Sequence, residues 1–257
     1  THGSAMQPYC MDIIMPKIKK LKPNIFGILL DTFMLYPALL NLDFAPAKSV
    51  FYYPSDGGFF PSGCENILKK VDLPIAMSKY AQKQVKELYN IDSEYIPHAI
   101  ETDIYKPLNE AEKNFLRMKY SQIWGVDLRN KFIVGCVARN QGRKMLDRTL
   151  KAFAEASKEI PNAILMMHTD KYDPAGYFNM DEIIRRLNIQ NKIVFTGTKY
   201  YEGYDYRIMN EIYNLMDVFF LGTSGEGFGI PTIEAMGCGI PVLVTDYTTT
   251  QEIVIDN

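Results

Sequence analysis

Short apolar runs alternate with stretches of helical periodicity along most of the chain. The runs are IFGILL (25–30), SVFYY (49–53), PIAM (74–77), FIVGCVA (132–138), AILMM (163–167), KIVFTG (192–197), DVFFL (217–221) and PVLVT (241–245). Between them, apolar residues recur at helical spacing over 78–89, 145–160, 181–187 and 208–216, and Pro231 opens one more helix. This alternation predicts parallel sheets joined by crossover helices. The tyrosine-rich KYYEGYDYRI (199–208) reads as a loop whose rings could stack on a base or sugar.

The pattern changes between 105 and 130, where KPLNEAEKNFLRMKYSQIWGVDLRNK is charged and helix-prone before a buried strand resumes. The predicted organisation is a domain over 1–107, a linker helix region over 108–129 that holds Trp124, and a second domain over 130–257. The fold class is α/β, with two Rossmann-like, doubly wound domains facing across a cleft, a favoured place for ligands.

Charge and cysteine usage narrow the partners. Lys and Arg total 28 against 30 Asp and Glu, so no global field recruits nucleic acid or an anionic membrane, and any basic site must be local. The four cysteines stand far apart without a C-x-x-C pair, which argues against a zinc site and a disulfide framework. No run approaches the roughly 18 apolar residues of a membrane span, and the expected location is cytoplasmic.

Candidate chemistry gathers in two places. SGEGFGIPTIEAMG (224–237) sets three glycines and Glu226 before an apolar helix that carries Glu234. The glycines let main-chain amides approach a ligand, and the helix start offers unpaired N–H groups and partial positive charge, which suits phosphate. The two carboxylates would accept hydrogen bonds from paired sugar hydroxyls. After the strand FIVGCVA, RNQGRK places Arg139 and Lys144 on either side of a glycine, and both are natural phosphate partners. A ligand with both phosphate and sugar would satisfy both elements. No Ser/His/Asp or Cys/His triad stands out. His98 reads as a loop or core residue, while His168, at a strand end, either lines the cleft or is structural.

The combination of Arg139 and Lys144 after the first strand of the second domain, KIVFTG, and the glutamates of EGFGIPTIE resembles the retaining glycosyltransferases of family 4, which have the GT-B fold. The resemblance covers most of the chain and extends to AMSKYAQKQVKELYNIDSEYIPHAIETDIYKP in its first half. It implies transfer of a hexose, with retention, from a UDP- or GDP-sugar to a carbohydrate, lipid or other hydroxyl acceptor. Arg139 and Lys144 would stabilise the leaving diphosphate, Glu226 would hold a hydroxyl of the transferred sugar, and Glu234 would bind the ribose. Gly227, Phe228, Gly229 and Ile230 would meet the sugar and phosphates, while Gly197 and Thr198 would line the base pocket.

The resemblance implies no metal and no cofactor besides the donor substrate, no nucleic acid partner, and at most peripheral membrane contact. The family's first-domain histidine corresponds here to YYPSDGGFFP, where Asp56 is expected to face the sugar or acceptor. The family's glycine-rich loop has no counterpart before Ile25, and TTTQEIVIDN stops short of the helices that close the fold, so truncation at both ends is expected. Two alternatives stay open: a GT-B epimerase or phosphorylase, and a catalytically silent nucleotide-sugar-binding subunit.

Overall fold

The computed structural model describes residues 11–32, 34, 44–58, 63–197 and 202–255. They form two compact units. One runs to His98 and includes Glu226–Phe228; the other comprises Ala99–Gly225 and Gly229–Asn257.

In the first unit, β1 (Ile25–Leu29), β2 (Lys48–Tyr53), β3 (Leu73–Ala76) and β4 (Glu94–Tyr95) pair in that order, all parallel. Helices α2 (Glu65–Lys70) and α3 (Lys79–Tyr89) follow β2 and β3, and α1 (Met11–Leu21) precedes β1. Alternate residues of β2 put Phe51 and Tyr53 into the core against Ile67, Leu68 and Val85. Ser78 starts α3 by accepting a hydrogen bond from the Ala81 amide at 3.0 Å, and Asn90 ends it in the left-handed region at φ 53°.

The second unit is a five-stranded parallel sheet of order β7-β6-β5-β8-β9, built from β5 (Phe132–Val137), β6 (Ala163–His168), β7 (Ile193–Phe195), β8 (Val218–Leu221) and β9 (Val242–Val244). The chain steps outward from β5 to β6 to β7, then returns to the other side of β5 for β8 and β9. The strand order therefore reverses between β5 and β8, and in open parallel sheets the crevice beyond the carboxyl ends of the strands at such a reversal is where ligands bind. Every residue of β6 except His168 is buried, as expected of an inner strand covered on both faces.

Around the sheet lie α4 (Glu110–Trp124), α5 (Leu146–Glu159), α6 (Met180–Leu187), α7 (Tyr206–Asn214), α8 (Ile230–Gly237) and α9 (Thr250–Ile253). The segment 108–129, read from sequence as a linker, contributes Leu116, Tyr120 and Leu128 to this core, and Trp124 lies against Tyr120 at 4.6 Å between ring centroids. A capping box between Asn109 and Glu112 opens α4. Arg117 then makes two hydrogen bonds to Asp217, at 2.9 and 2.8 Å, just before β8. The loop expected over 199–208 ends at Asp205, whose carboxylate accepts from the Arg207 amide and starts α7; Tyr206 and Ile208 are helical. Residues 199–201 lie outside the described residues.

Candidate functional site

The segments after β5 and β8 carry most of the predicted chemistry of the second unit. Beyond β5, Arg139 donates from Nε to Oδ2 of Asp173 at 3.1 Å; the Asp173 side chain is only 2% exposed and the Arg139 side chain 30%. The Ala175 amide donates to the other Asp173 oxygen at 2.9 Å. This amide, and then the guanidinium, hold the Asp173 carboxyl below its usual range. A guanidinium has five N–H donors, and the one given to Asp173 orients the Arg139 fork.

Asn140, which is buried, fixes the next part of the loop. Its amide exchanges hydrogen bonds with the Phe178 backbone at 2.8 and 3.0 Å, and its carbonyl accepts from the Tyr177 amide at 3.0 Å. A 3₁₀ turn over Gly142–Lys144 then leads into α5. Lys144 sits on that turn and is 9% exposed, so it is no ordinary surface lysine.

Beyond β8 the chain is tied back to this loop. The Ser224 amide donates to the Arg143 carbonyl at 2.9 Å, and Arg143 Nη1 donates to the Gly225 carbonyl at 2.6 Å. The cationic loop and the glycine-rich loop are thus one connected structure at the switch point.

Gly229 (φ 91°) turns the chain into α8, a left-handed conformation that favours glycine, and Pro231 occupies the first turn. In that turn the Thr232 hydroxyl is fully buried with no partner among the described residues. One turn further in, Glu234 accepts a hydrogen bond from the Tyr213 hydroxyl at 2.6 Å. Burial raises the Glu234 pKa above the usual glutamate value, and the hydrogen bonds from Tyr213 and Tyr105 partly offset this.

A protonated Glu234 is therefore favoured more in the folded than in the unfolded chain. Stability falls as pH rises from the ordinary glutamate range through the raised native value. Glu234→Gln, which mimics the neutral acid, should raise Tm at pH 7 by about 2 °C, with the gain disappearing below about pH 4. Thermal melts of both proteins between pH 3.5 and 8 test this, and a gap widening toward acid would mean the sign is wrong.

At the carboxyl ends of β6 and β7, His168 Nδ1 lies 2.9 Å from the Thr196 hydroxyl, and the Tyr204 hydroxyl donates to the Thr196 carbonyl at 2.5 Å. Burial pushes His168 down to about 4, so the imidazole is neutral at physiological pH. Gly197, at φ 83°, makes the turn that follows. Its predicted neighbour Thr198 lies outside the described residues.

The remaining predicted residues cluster with the first unit. Glu226 is 3% exposed, and Phe228 is buried with its ring edge-on to His98 at 5.1 Å; burial lowers the His98 pKa. Gly227 lies between them. Asp56 is half-buried in the loop after β2. That loop is fixed by hydrogen bonds from Gln84 Nε2 to the Gly57 carbonyl at 2.9 Å and between the Ser55 hydroxyl and Gln84 Oε1. Among the described residues no group of three or more His, Cys, Asp or Glu could hold a metal ion. No helix among them is long and apolar enough to cross a membrane.

Fold and switch point together define the chain as an α/β protein of GT-B type. HepE of Anabaena, solved with UDP and glucose, superposes with a TM-score of 0.73 at 16% identity, over 95% of this chain and 65% of that one. A glycosyltransferase from Rickettsia africae gives 0.71 at 18% identity, over 100% and 67%.

The chain belongs to the glycosyl transferases group 1 family, whose profile matches residues 122–257. Among curated relatives, mannosylfructose-phosphate synthase of Agrobacterium fabrum is 24% identical over 184 residues, 70% of this chain and 38% of that protein. The lipopolysaccharide core biosynthesis mannosyltransferase LpsB of Rhizobium meliloti is 24% identical over 223 residues, 86% and 58%. The chain thus spans about half the length of these relatives.

Proposed function

We propose that the chain carries the donor-binding machinery of a retaining glycosyltransferase of the family 4 type, which moves a hexose from a UDP- or GDP-sugar to an acceptor hydroxyl. The observation that carries this reading is the joined pair of loops at the switch point. One supplies Arg139 and Lys144, and the other leads through Gly225 into Glu226 and the start of α8. The relatives' names agree with it, since they include a phosphosugar synthase and a mannosyltransferase.

In this reading Arg139 and Lys144 stabilise the charge that gathers on the leaving diphosphate. Gly227, Phe228, Gly229 and Ile230 bring main chain against the sugar and phosphates, with the first turn of α8 adding N–H donors. Glu226 accepts from a hydroxyl of the transferred sugar. Glu234 accepts from the ribose, since a carboxylate offers about four lone-pair sites and Tyr213 and Tyr105 engage two of them. Gly197 and Thr198 line the base pocket. Asp56, in the first unit, serves the sugar or the acceptor, which is a carbohydrate, a lipid headgroup or another hydroxyl compound.

The acceptor oxygen bonds to the anomeric carbon on the face from which the diphosphate leaves. The bond from that carbon to the diphosphate oxygen breaks, and the hydroxyl proton passes to the departing diphosphate. No protein nucleophile and no metal enters this scheme. The protein works in the cytoplasm, with any membrane contact peripheral.

Calorimetric titration with UDP, GDP, UDP-glucose and GDP-mannose tests the donor site, with one nucleotide series expected to bind. Product analysis by NMR then tests the reaction. An acceptor product of unchanged anomeric configuration is expected; an inverted product would rule out the retaining mechanism, and conversion of the nucleotide sugar without acceptor would indicate an epimerase.

A further inference from the structure

We propose that Arg143 is a positioning residue that sets the distance between the cationic loop and the glutamate loop, an inference that rests on the donor-site reading above. Its side chain donates from Nη1 to the Gly225 carbonyl at 2.6 Å. Its own carbonyl lies 2.9 Å from the Ser224 amide and 3.1 Å from each of the Thr223 and Ser224 hydroxyls. The Thr223 hydroxyl, 2% exposed as a residue, also lies 2.9 Å from the Gly225 carbonyl and shares its one proton between the two oxygens. One residue of the first loop therefore grips the second through both main chain and side chain.

The place of this grip matters. Arg143 immediately precedes Lys144, and Gly225 immediately precedes Glu226. In a trans peptide the carbonyl and the next N–H point in opposite directions. Holding the Gly225 carbonyl therefore fixes which way the Glu226 amide faces and where the Glu226 Cα lies. Arg143 acts through Gly225 rather than on the donor, and it couples the residue that meets the phosphate to the residue that meets the sugar. A lysine at this position would keep the charge but lose the planar fork that gives the N–H its direction.

The test compares Kd for a nucleotide sugar with Kd for the free diphosphate, using UDP-glucose with UDP and GDP-mannose with GDP, on the parent chain, Arg143→Met, Arg143→Lys and Thr223→Val. Arg143→Met should weaken sugar-nucleotide binding about tenfold and free-diphosphate binding less than about threefold. Thr223→Val should shift the same ratio in the same direction, and the two changes together should be less than additive because they release the same carbonyl. Arg143→Lys should restore the diphosphate value but not the full sugar-dependent gain; it is the reference should the Met variant fold poorly.

Equal weakening of both ligands would reduce Arg143 to a phosphate-attracting charge, and unchanged affinities would remove any role; either overturns the proposal. If the parent binds none of the four compounds, the donor-site reading fails first and the role of Arg143 with it.

Discussion

Replacing Arg139 with Met should lower the rate of sugar transfer by two to three orders of magnitude, roughly, while leaving donor affinity within a few-fold of the parent. The guanidinium is aimed by Asp173, a carboxylate almost wholly enclosed and itself fixed by the Ala175 amide. On the proposed donor reading, a cation set in place before the reaction would stabilise the growing negative charge of the leaving diphosphate more than the ground state, and only that difference accelerates transfer. Lys144→Met should behave alike, since a lysine only 9% exposed acts without full screening by water. Single-turnover kinetics at saturating donor separate the quantities. A raised KM with unchanged kcat would assign both residues to binding alone.

Asp217→Ala should destabilise the protein by about 3 kcal/mol, lowering Tm by about 8 °C. Asp217 stands at the entrance to β8, where Oδ2 accepts from the Ile133 amide at 2.7 Å while both oxygens accept from Arg117. Arg117 in turn donates to the Lys131 carbonyl at 2.7 Å. Removing the carboxylate leaves a largely enclosed guanidinium without its counter-charge and the Ile133 amide, at the second residue of β5, without its acceptor. Asp217→Asn, which keeps one carbonyl oxygen, should cost less than half as much. Calorimetric melts check both, and an alanine variant that melts within 2 °C, roughly, of the parent would show that the pair is dispensable.

How far the sequence discloses this depends on the range of each interaction. The inner strands were legible because burial on both faces leaves an apolar run, as in AILMM, and the long helices because one face repeats every three to four residues. β4 spans two residues and α2 six, too few for any period to register. In α4 only Leu116 and Tyr120 are fully buried among many charges, so the helix reads as solvated although it belongs to the core. β7 ends at Phe195, two residues before the predicted limit, because the chain then turns through Gly197.

At the site, residue types were visible but partnerships were not. Glycines before a helix, and an Arg and Lys after a strand, are local signals. The links from Arg139 to Asp173, from Arg143 to Gly225 and from Glu234 to Tyr213 span 34, 82 and 21 residues. No short pattern announces them. Arg143 carries no local signal of its own, and only the fold shows that it points at a carbonyl.

The order of strands in the second unit has a bearing on how such a protein diversifies. Arg139, Lys144 and Gly225 hang from β5 and β8, whereas Gly197 hangs from β7, separated from β5 by β6. With neighbouring strands about 4.8 Å apart, β7 lies about 10 Å from β5 and about 14 Å from β8 along the sheet. On the donor reading, the residues that manage the departing diphosphate and those that select the base are mounted on different parts of one rigid frame. A lineage can then exchange one nucleotide for another by reshaping the loop after β7, while the reaction chemistry, which it cannot afford to disturb, is inherited unchanged.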